Sequence, residues 1–254
     1  MLTREQKIGF FKELLDKFET EEMKLYCEDM IETMPEYLFF IPASTSLKYH
    51  SKSQCVVFGQ VMHIIMFGEV MNYLLDLKCF QEKFDKAKQR DALRCIPMFH
   101  DAWKCANNSS FTVHKHPLIA GEWVRNTTVE HDIKSGLKDY IAKCCERHSG
   151  QFTSSNRDKT VLPEPETDDE KLCHMCDILS SRANIDMIES DYIKEYKEKI
   201  INDITDTYEF DFGKYKGSTV KYVLDNHPDY LVWMNDNGGI KEPIRTILLK
   251  LKED

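Results

Sequence analysis

Residues 99–104, FHDAWK, follow an apolar helical pattern that begins near residue 83. The fold prediction depends on whether the histidine and aspartate of this segment bind metal or face solvent. Histidine and aspartate supply the nitrogen and oxygen donors that divalent transition metals take. Successive side chains on an ideal helix diverge by about 100°, so His100 and Asp101 would serve one metal ion and the bridge to a second. The simpler interpretation is a solvent-facing pair. His131-Asp132 repeats the dipeptide, and we interpret that copy as an ordinary helix start.

Further candidate ligands recur at wide intervals on separate helical segments. They are His63, His116, His148 and Asp177. Imidazole plus carboxylate, with no obligatory thiolate, favours Mn, Fe, Ni, Co or Zn over a hard cation in an all-oxygen site. Each residue also has a plainer interpretation. His63 could be a hydrogen-bonded core residue, His116 could cap the helix that Pro117 begins, and His148 could simply stabilise a helix C-terminus.

The order of these residues resembles that of the HD-domain metal-dependent phosphohydrolases, and FHDAWK resembles their His-Asp-x-x-Lys. Further segments between residues 35 and 185 resemble a microbial branch of that superfamily: IPASTSLKYH (41–50), GQVMH (59–63), HPL (116–118), ERHSG (146–150) and HMCDILSSR (174–182). Periodicity would not select Asp177, which lies beside the apolar stripe of its helix, and the resemblance alone identifies it.

The resemblance implies a mainly α fold with an HD-type helical domain over residues 1–205. It also implies two divalent metal ions (Mn, Fe, Ni, Co or Mg), held by His63, His100, Asp101, His116, His148 and Asp177. Asp101 would bridge the ions and Lys104 would offset phosphoryl charge, which makes these two the expected catalytic residues. The implied function is hydrolysis of a phosphoester by a metal-activated hydroxide. The substrate would be a nucleotide, a cyclic nucleotide or a nucleic-acid end.

Three alternatives stay open at this point. The Gly-Glu-Gly-Gly usual before the first histidine is reduced here to Gly59, and a shifted register would place Gln60 at the first ligand position. An inactive HD domain that binds a nucleotide or a partner is therefore the alternative function. The pairs Cys145-x-x-His148 and Cys173-x-x-Cys176 also have a spacing compatible with a structural zinc. Finally, Lys104 could simply form an ion pair with Asp101.

The character of the chain changes near residue 205, and we expect a small α+β module over residues 208–254. The run FGKYKGST (212–219) with PDYLVWM (228–234) resembles a module appended to some bacterial and phage exonucleases. Interleaved lysines and tyrosines here could stack bases and hold phosphates of single-stranded nucleic acid. A unit this small needs aromatic filling, so we expect Phe212, Tyr230 and Trp233 in its core.

The composition of the chain limits which other classes of protein are possible. The chain has 254 residues, a formal net charge of −9 and 42% hydrophobic residues, which supports a packed core and disfavours a protein that coats duplex DNA. No run of 18 or more apolar residues predicts a membrane span. Nine cysteines without a recognisable secretory signal indicate reduced thiols and a cytoplasmic location.

Overall fold

The computed structural model describes residues 2–44, 48, 50–106, 112–156, 158–182, 189–237, 244, 245 and 247. Part of the IPASTSLKYH segment, residues 45–47 and 49, therefore lies outside the described residues. The fold is mainly helical, as predicted, with almost no strand. Over the described part of the chain, every helix is too short or too polar to span a bilayer.

The chain divides into two compact units, Met1–Met187 and Ile188–Asp254. The helices of the first unit are α1 Arg4–Gly9, α2 Lys12–Leu15, α3 Glu21–Glu32, α4 Gly59–Leu75, α5 Lys78–Lys83, α6 Ala87–Phe99, α7 His116–Asn126, α8 Ser135–Glu146 and α9 Asp168–Ser180. Those of the second unit are α10 Asp191–Thr207, α11 Val220–Asn226 and α12 Pro228–Asp236.

Helix α4 is the central element of the first unit. Most of its residues are buried, and it packs against α6 and α9. Close packing of α7 on α8 depends on Gly121, where an added Cβ would lie 2.5 Å from Cγ of Glu146. Helix α9 begins at a capping box, as the sequence predicts: the Thr167 hydroxyl accepts from the Glu170 backbone N–H, and the Glu170 carboxylate accepts from the Thr167 N–H.

Helix α6 ends earlier than its pattern predicts. The pattern runs to residue 105, but the helix stops at Phe99 and His100 is its C-cap. Pro97 inside the last turn has no N–H for the helical ladder. Tighter i→i+3 bonds follow, from Ala102 N–H to Phe99 O and from Lys104 N–H to Asp101 O. Such bonds bring side chains three residues apart onto one face, so Asp101 and Lys104 lie together.

The second unit has a small core of its own. Phe210, Val220, Val223, Leu231 and Met234 are buried, and so are the described residues Ile244 and Ile247. Among the described residues of the second unit, the β component is one isolated bridge between Glu209 and Thr219. Helix α10 packs on α11, so contacts group it with the C-terminal unit, whereas the sequence places the boundary after it. The independence of residues 1–205 and 208–254 stays a prediction.

A buried carboxylate ties the start of α3 to α6. Asp91 is fully buried and accepts hydrogen bonds from the Thr20 N–H and hydroxyl, at 2.8 and 2.7 Å, and from Nη1 of Arg94 at 2.9 Å. Its negative charge also interacts favourably with the positive, N-terminal end of the α3 helix dipole. Glu19 extends this network by binding both Arg90 and Arg94.

The Glu19 carboxylate makes stability depend on pH. Hydrogen bonds from Arg90 outweigh the burial cost and, with those from Arg94, lower the pKa of Glu19 from 4.5 to about 2. Its stabilisation is therefore complete above pH 4.5 and is lost as the pH falls through about 2. Because the side chain is 35% exposed, we expect Glu19→Gln to cost about 1–2 kcal/mol at pH 7. Urea unfolding from pH 3 to 8 should show the difference from wild type shrinking below pH 4.5.

Glu22 provides the matched control, because it pairs with Lys88 on the surface and its side chain is 49% exposed. Glu22→Gln should change the free energy of unfolding by less than about 0.5 kcal/mol. A difference for Glu19→Gln that stays constant from pH 3 to 8 would contradict this assignment.

Candidate metal centre

Five of the six residues expected as ligands line one pocket of the first unit, and the sixth, His100, lies buried with its Nε2 3.3 Å from that of His63. His63 comes from α4, His100 and Asp101 from the end of α6, His116 from the start of α7, His148 from just after α8, and Asp177 from α9. All are buried except Asp177, whose side chain is 19% exposed. The pocket holds about 300 Å³ and opens to solvent. Separate helices thus bring together residues that lie far apart in the chain.

Three of the histidines use Nδ1 in the same way. Nδ1 of His100 lies 2.8 Å from the Pro97 carbonyl oxygen, Nδ1 of His116 lies 2.7 Å from that of Val113, and Nδ1 of His148 lies 2.7 Å from that of Cys145. A carbonyl oxygen only accepts hydrogen bonds, so each Nδ1 carries a proton and donates it. In the neutral ring Nε2 is then left with a lone pair, as in metal-bound histidines whose other N–H is held by a carbonyl.

His63 reaches the same tautomer through a hydroxyl. The Ser180 Oγ donates to the Asp177 backbone oxygen at 2.8 Å. Because that bond uses the hydroxyl proton, the Ser180 oxygen accepts from Nδ1 of His63, 3.4 Å away. Nε2 of His63 faces Oδ1 of Asp177 at 3.0 Å. All four imidazoles therefore direct an Nε2 lone pair into the pocket.

The ligand atoms form two groups that share one carboxylate. Nε2 of His63 and of His100 lie 3.3 Å apart, as do those of His116 and His148. Asp101 joins both groups: its Oδ2 is 3.4 Å from Nε2 of His100, and its Oδ1 is 2.9 Å from Nε2 of His116. Within the described residues, Asp101 Oδ1 is buried with no hydrogen-bond partner. Facing lone pairs at such distances repel, and a cation between them removes the repulsion, so these donors fit divalent metal ions.

Ionisation states also suit metal binding. Burial lowers the pKa of His148 to about 3 and lowers that of His63, which keeps both rings neutral. Burial alone would raise the pKa of Asp101, but the charges of Lys104 and the nearby histidines hold it well below its usual range. The pKa of Asp177 is also lowered, against the effect of burial, by the adjacent His63 side chain and by His100 and His148. Both carboxylates are therefore ionised at neutral pH.

A buried glutamine completes the arrangement around Asp101. Nζ of Lys104 donates to Asp101 Oδ2 at 2.8 Å and to Gln60 Oε1 at 3.1 Å. Nε2 of Gln60 in turn donates to Asp101 Oδ2 at 3.1 Å. The ion pair expected from sequence is present, and Gln60 holds both partners in place. Both polar atoms of the Gln60 side chain contact Asp101 or Lys104. It lies on α4 one helical turn before His63.

His50 and His174 line the same pocket. Nδ1 of His50 lies 2.8 Å from Gln54 Oε1, and Nδ1 of His174 donates to the His148 backbone oxygen at 2.7 Å. The ring of His174 packs on Gly150, which has a φ of +58° and where an added Cβ would lie 2.0 Å from Cε1 of the ring. Only glycine fits that turn.

The other arrangements considered from sequence lie elsewhere. Among the described residues, neither ligand group includes a cysteine, and Nε2 of His148 faces His116. The second His-Asp dipeptide lies before α8, where Nδ1 of His131 is 3.0 Å from Asp29 Oδ2 and Asp132 pairs with Lys138. The partners of this dipeptide are therefore Asp29 and Lys138, which are both buried.

Comparison with known proteins supports relationships of limited extent. The family described as Exodeoxyribonuclease X-like C-terminal matches residues 210–237. The proteins named Exodeoxyribonuclease 10 from Escherichia coli K12 and from Escherichia coli O6:H1 are each 25% identical to this chain over 156 residues, 61% of this chain and 67% of the relative. No solved structure matches the chain. Residues 210–237, within the expected module over 208–254, are thus similar to this C-terminal family, as the motif predicts.

Metal binding should depend on Asp101. Asp101→Asn keeps the side-chain volume but removes the charge shared by the two ligand groups, so the variant should lose at least one equivalent of metal. Elemental analysis after loading with Mn²⁺ or Ni²⁺ measures this directly. For the wild type, saturating metal at about 100 times Kd should add about 2.7 kcal/mol to the free energy of unfolding.

Asp132→Asn is the matched control, because it changes the aspartate of the other His-Asp dipeptide. It should retain the wild-type metal content. Equal metal content in the two variants would contradict the assignment of Asp101 as a shared ligand.

Proposed function

We propose that the first unit is a metal-dependent phosphohydrolase that cleaves a phosphoester in a nucleotide, a cyclic nucleotide or a nucleic-acid end. The observation that carries this proposal is the pair of histidine groups that share Asp101 in an open pocket. Paired cations held by a common carboxylate are suited to in-line displacement at phosphorus. The HD-type motif order and the similarity to proteins named Exodeoxyribonuclease 10 support the same reaction class.

Each side chain has a role that its position supports. His63, His100 and Asp177 would hold one cation, His116 and His148 the other, and Asp101 both. Bound divalent cations supply Lewis acidity and lower the pKa of a bound water. The chain's own residues fix the donors: backbone carbonyls and Ser180 set the tautomers, and Gln60 orients the carboxylate of Asp101.

Lys104 provides a fixed positive charge inside the pocket. It is 8% exposed and lies among the pocket-lining residues. A buried ammonium would attract the phosphoryl group and offset the negative charge that grows on its oxygens during the reaction. The hydrogen bond to Gln60 limits how far this ammonium can move.

The remaining lining suits the other part of a nucleotide. Phe152 is 58% exposed and lines the pocket together with Ile178, Ser149 and Arg182. Arg182 is held by a bond from its Nε to the Ile178 carbonyl oxygen at 3.0 Å. An exposed phenyl ring offers a stacking surface for a base, and the hydroxyl and guanidinium groups offer donors to a sugar and phosphate.

A turnover screen tests the proposal. The substrates are bis(p-nitrophenyl) phosphate, nucleotides, cyclic dinucleotides and single-stranded oligonucleotides, each with Mn²⁺, Ni²⁺ or Mg²⁺. We expect metal-dependent release of phosphate or alcohol from at least one class, and a fall on the order of 10³-fold or more for Asp101→Asn, about 4 kcal/mol of barrier. Stoichiometric metal with no turnover in any class would contradict the proposal and favour the alternative of a binding protein.

Lys104→Met separates chemistry from metal binding. Because the lysine touches no cation in this assignment, the variant should keep its metal while its turnover falls about 10²–10³-fold. Initial rates and metal content measured on the same samples check this. Lys138→Met is the matched control: Lys138 is equally buried and pairs with Asp132 at 2.7 Å, so its loss should affect stability and leave turnover unchanged. Full activity in Lys104→Met would remove Lys104 from the mechanism.

A further inference from the structure

The second unit carries a row of aromatic rings that its core does not need. Its buried side chains are mostly aliphatic and include Phe210 as the one buried aromatic residue among those described. Trp233 is 59% exposed and Tyr222 is 49% exposed, while Tyr215 and Tyr230 are half-buried. The expectation that Trp233 lies in the core is therefore wrong, whereas Phe212 and Tyr230 are half-buried, with their ring centroids 6.4 and 6.5 Å from that of the buried Phe210. The aliphatic side chains of α11 and α12 fill that space instead.

These rings contact one another in sequence along the surface. We call the row of Tyr222, His227, Tyr215, Tyr230 and Trp233 the aromatic ridge. Successive ring centroids lie 5.9, 4.5, 4.8 and 5.9 Å apart. Two of the contacts are parallel, at 19° and 22°, and two are nearly perpendicular. Contacts between rings hold the ridge in shape before any ligand arrives.

The glycine-containing loop before α11 builds the middle of the ridge. Gly213 and Gly217 have φ values of +78° and +82°, which side-chain-bearing residues rarely adopt. The Tyr230 hydroxyl comes so close that a Cβ on Gly213 would lie 2.4 Å from it, and this hydroxyl accepts from the Lys214 backbone N–H at 3.2 Å. The motif FGKYKG thereby fixes Tyr215 between two exposed lysines.

We propose that the aromatic ridge is a binding site for single-stranded nucleic acid, separate from the metal centre. Every base has a flat face that can stack on an exposed ring, and stacking of this kind tolerates any sequence. Lys214 places Nζ 5.1 Å from the centre of the Tyr215 ring, and Lys216 is exposed on the other side of Tyr215 in the chain. Cations that flank a stacking surface suit the phosphates between successive bases. A duplex hides its base faces and would not use this surface.

The second unit carries both acidic and basic side chains, and this mixture determines how binding should depend on salt. Asp211, Asp225 and Asp229 are exposed, and Lys221 already pairs with Asp206 at 2.9 Å. Among the described residues around Tyr215, the exposed lysines are Lys214 and Lys216, so the salt dependence should be shallow compared with that of a basic DNA-binding protein. Stacking is expected to supply most of the affinity. Removing one ring should then weaken binding more than removing one lysine.

Binding of a fluorescent oligodeoxythymidine of about 12 nucleotides to the full chain tests this site. Anisotropy is measured in EDTA, so that hydrolysis cannot interfere. We expect Trp233→Ala to weaken binding about 10-fold or more and Trp233→Phe to stay within about threefold of wild type. Lys214→Ala should weaken binding about two- to fivefold. Unlabelled oligonucleotide should compete, and a duplex of equal length should compete at least about tenfold less well.

Tyr73→Ala is the control, because Tyr73 is 69% exposed in the first unit and lies outside the ridge; it should bind like wild type. Tyr222→Ala is a second ridge variant, and its binding should fall even if Trp233→Ala does not fold. Wild-type binding that Trp233→Ala and Tyr222→Ala both retain, equal competition by duplex, or no binding by wild type would each overturn the proposal.

The ridge and the proposed hydrolysis can fail separately. Ridge variants should hydrolyse bis(p-nitrophenyl) phosphate at the wild-type rate, since that substrate is too small to need the second unit. Binding without turnover would leave the ridge in place and remove the proposed function. Turnover without oligonucleotide binding would do the reverse.

Discussion

Four imidazole rings have their Nδ1 protons committed before any ligand is considered. Backbone carbonyls take the protons of His100, His116 and His148, and the Ser180 hydroxyl takes that of His63. The Nε2 atoms are consequently acceptors that converge on the ionised Asp101. A buried set of acceptors that face one another is unfavourable, so these residues could hold divalent cations. In metal-free protein a proton supplies part of this charge, since Asp101 outweighs the effect of burial and raises the pKa of His100.

The order of the candidate ligands along the chain can be predicted from the sequence. Histidines and aspartates at wide spacing can be compared with the motif order of a family even when the fold between them is unknown. Local periodicity could not place them. On a continuous helix His100 and Asp101 would diverge, yet His100 Nε2 and Asp101 Oδ2 lie 3.4 Å apart just after the end of α6. Asp177 was identifiable only through the resemblance, since its contact with His63 joins two helices distant in sequence.

The role of Gln60 and the exposure of the aromatic ridge could not be predicted from the sequence, for two different reasons. A glutamine inside an apolar helix has no distinctive pattern, and its role depends on two partners about forty residues away. In the second unit, the sequence predicts that aromatic residues lie in the core, because a domain this small needs large side chains to fill its interior. Val220, Val223, Leu231 and Met234 meet that need, which leaves Trp233 exposed. Composition predicts how much apolar volume must be buried, but it does not predict which side chains provide it.

Cations should bind where the Nε2 atoms converge, with Asp101 common to both groups. Anomalous diffraction at the Mn edge, from crystals of the full chain grown with Mn²⁺, would locate them. We expect anomalous peaks within about 2.0–2.3 Å of Nε2 of His63 or His100 on one side and of His116 or His148 on the other. Both peaks should lie within ligand distance of the Asp101 carboxylate. Anomalous density only at Cys173 and Cys176, or none in the pocket at saturating Mn²⁺, would contradict this expectation.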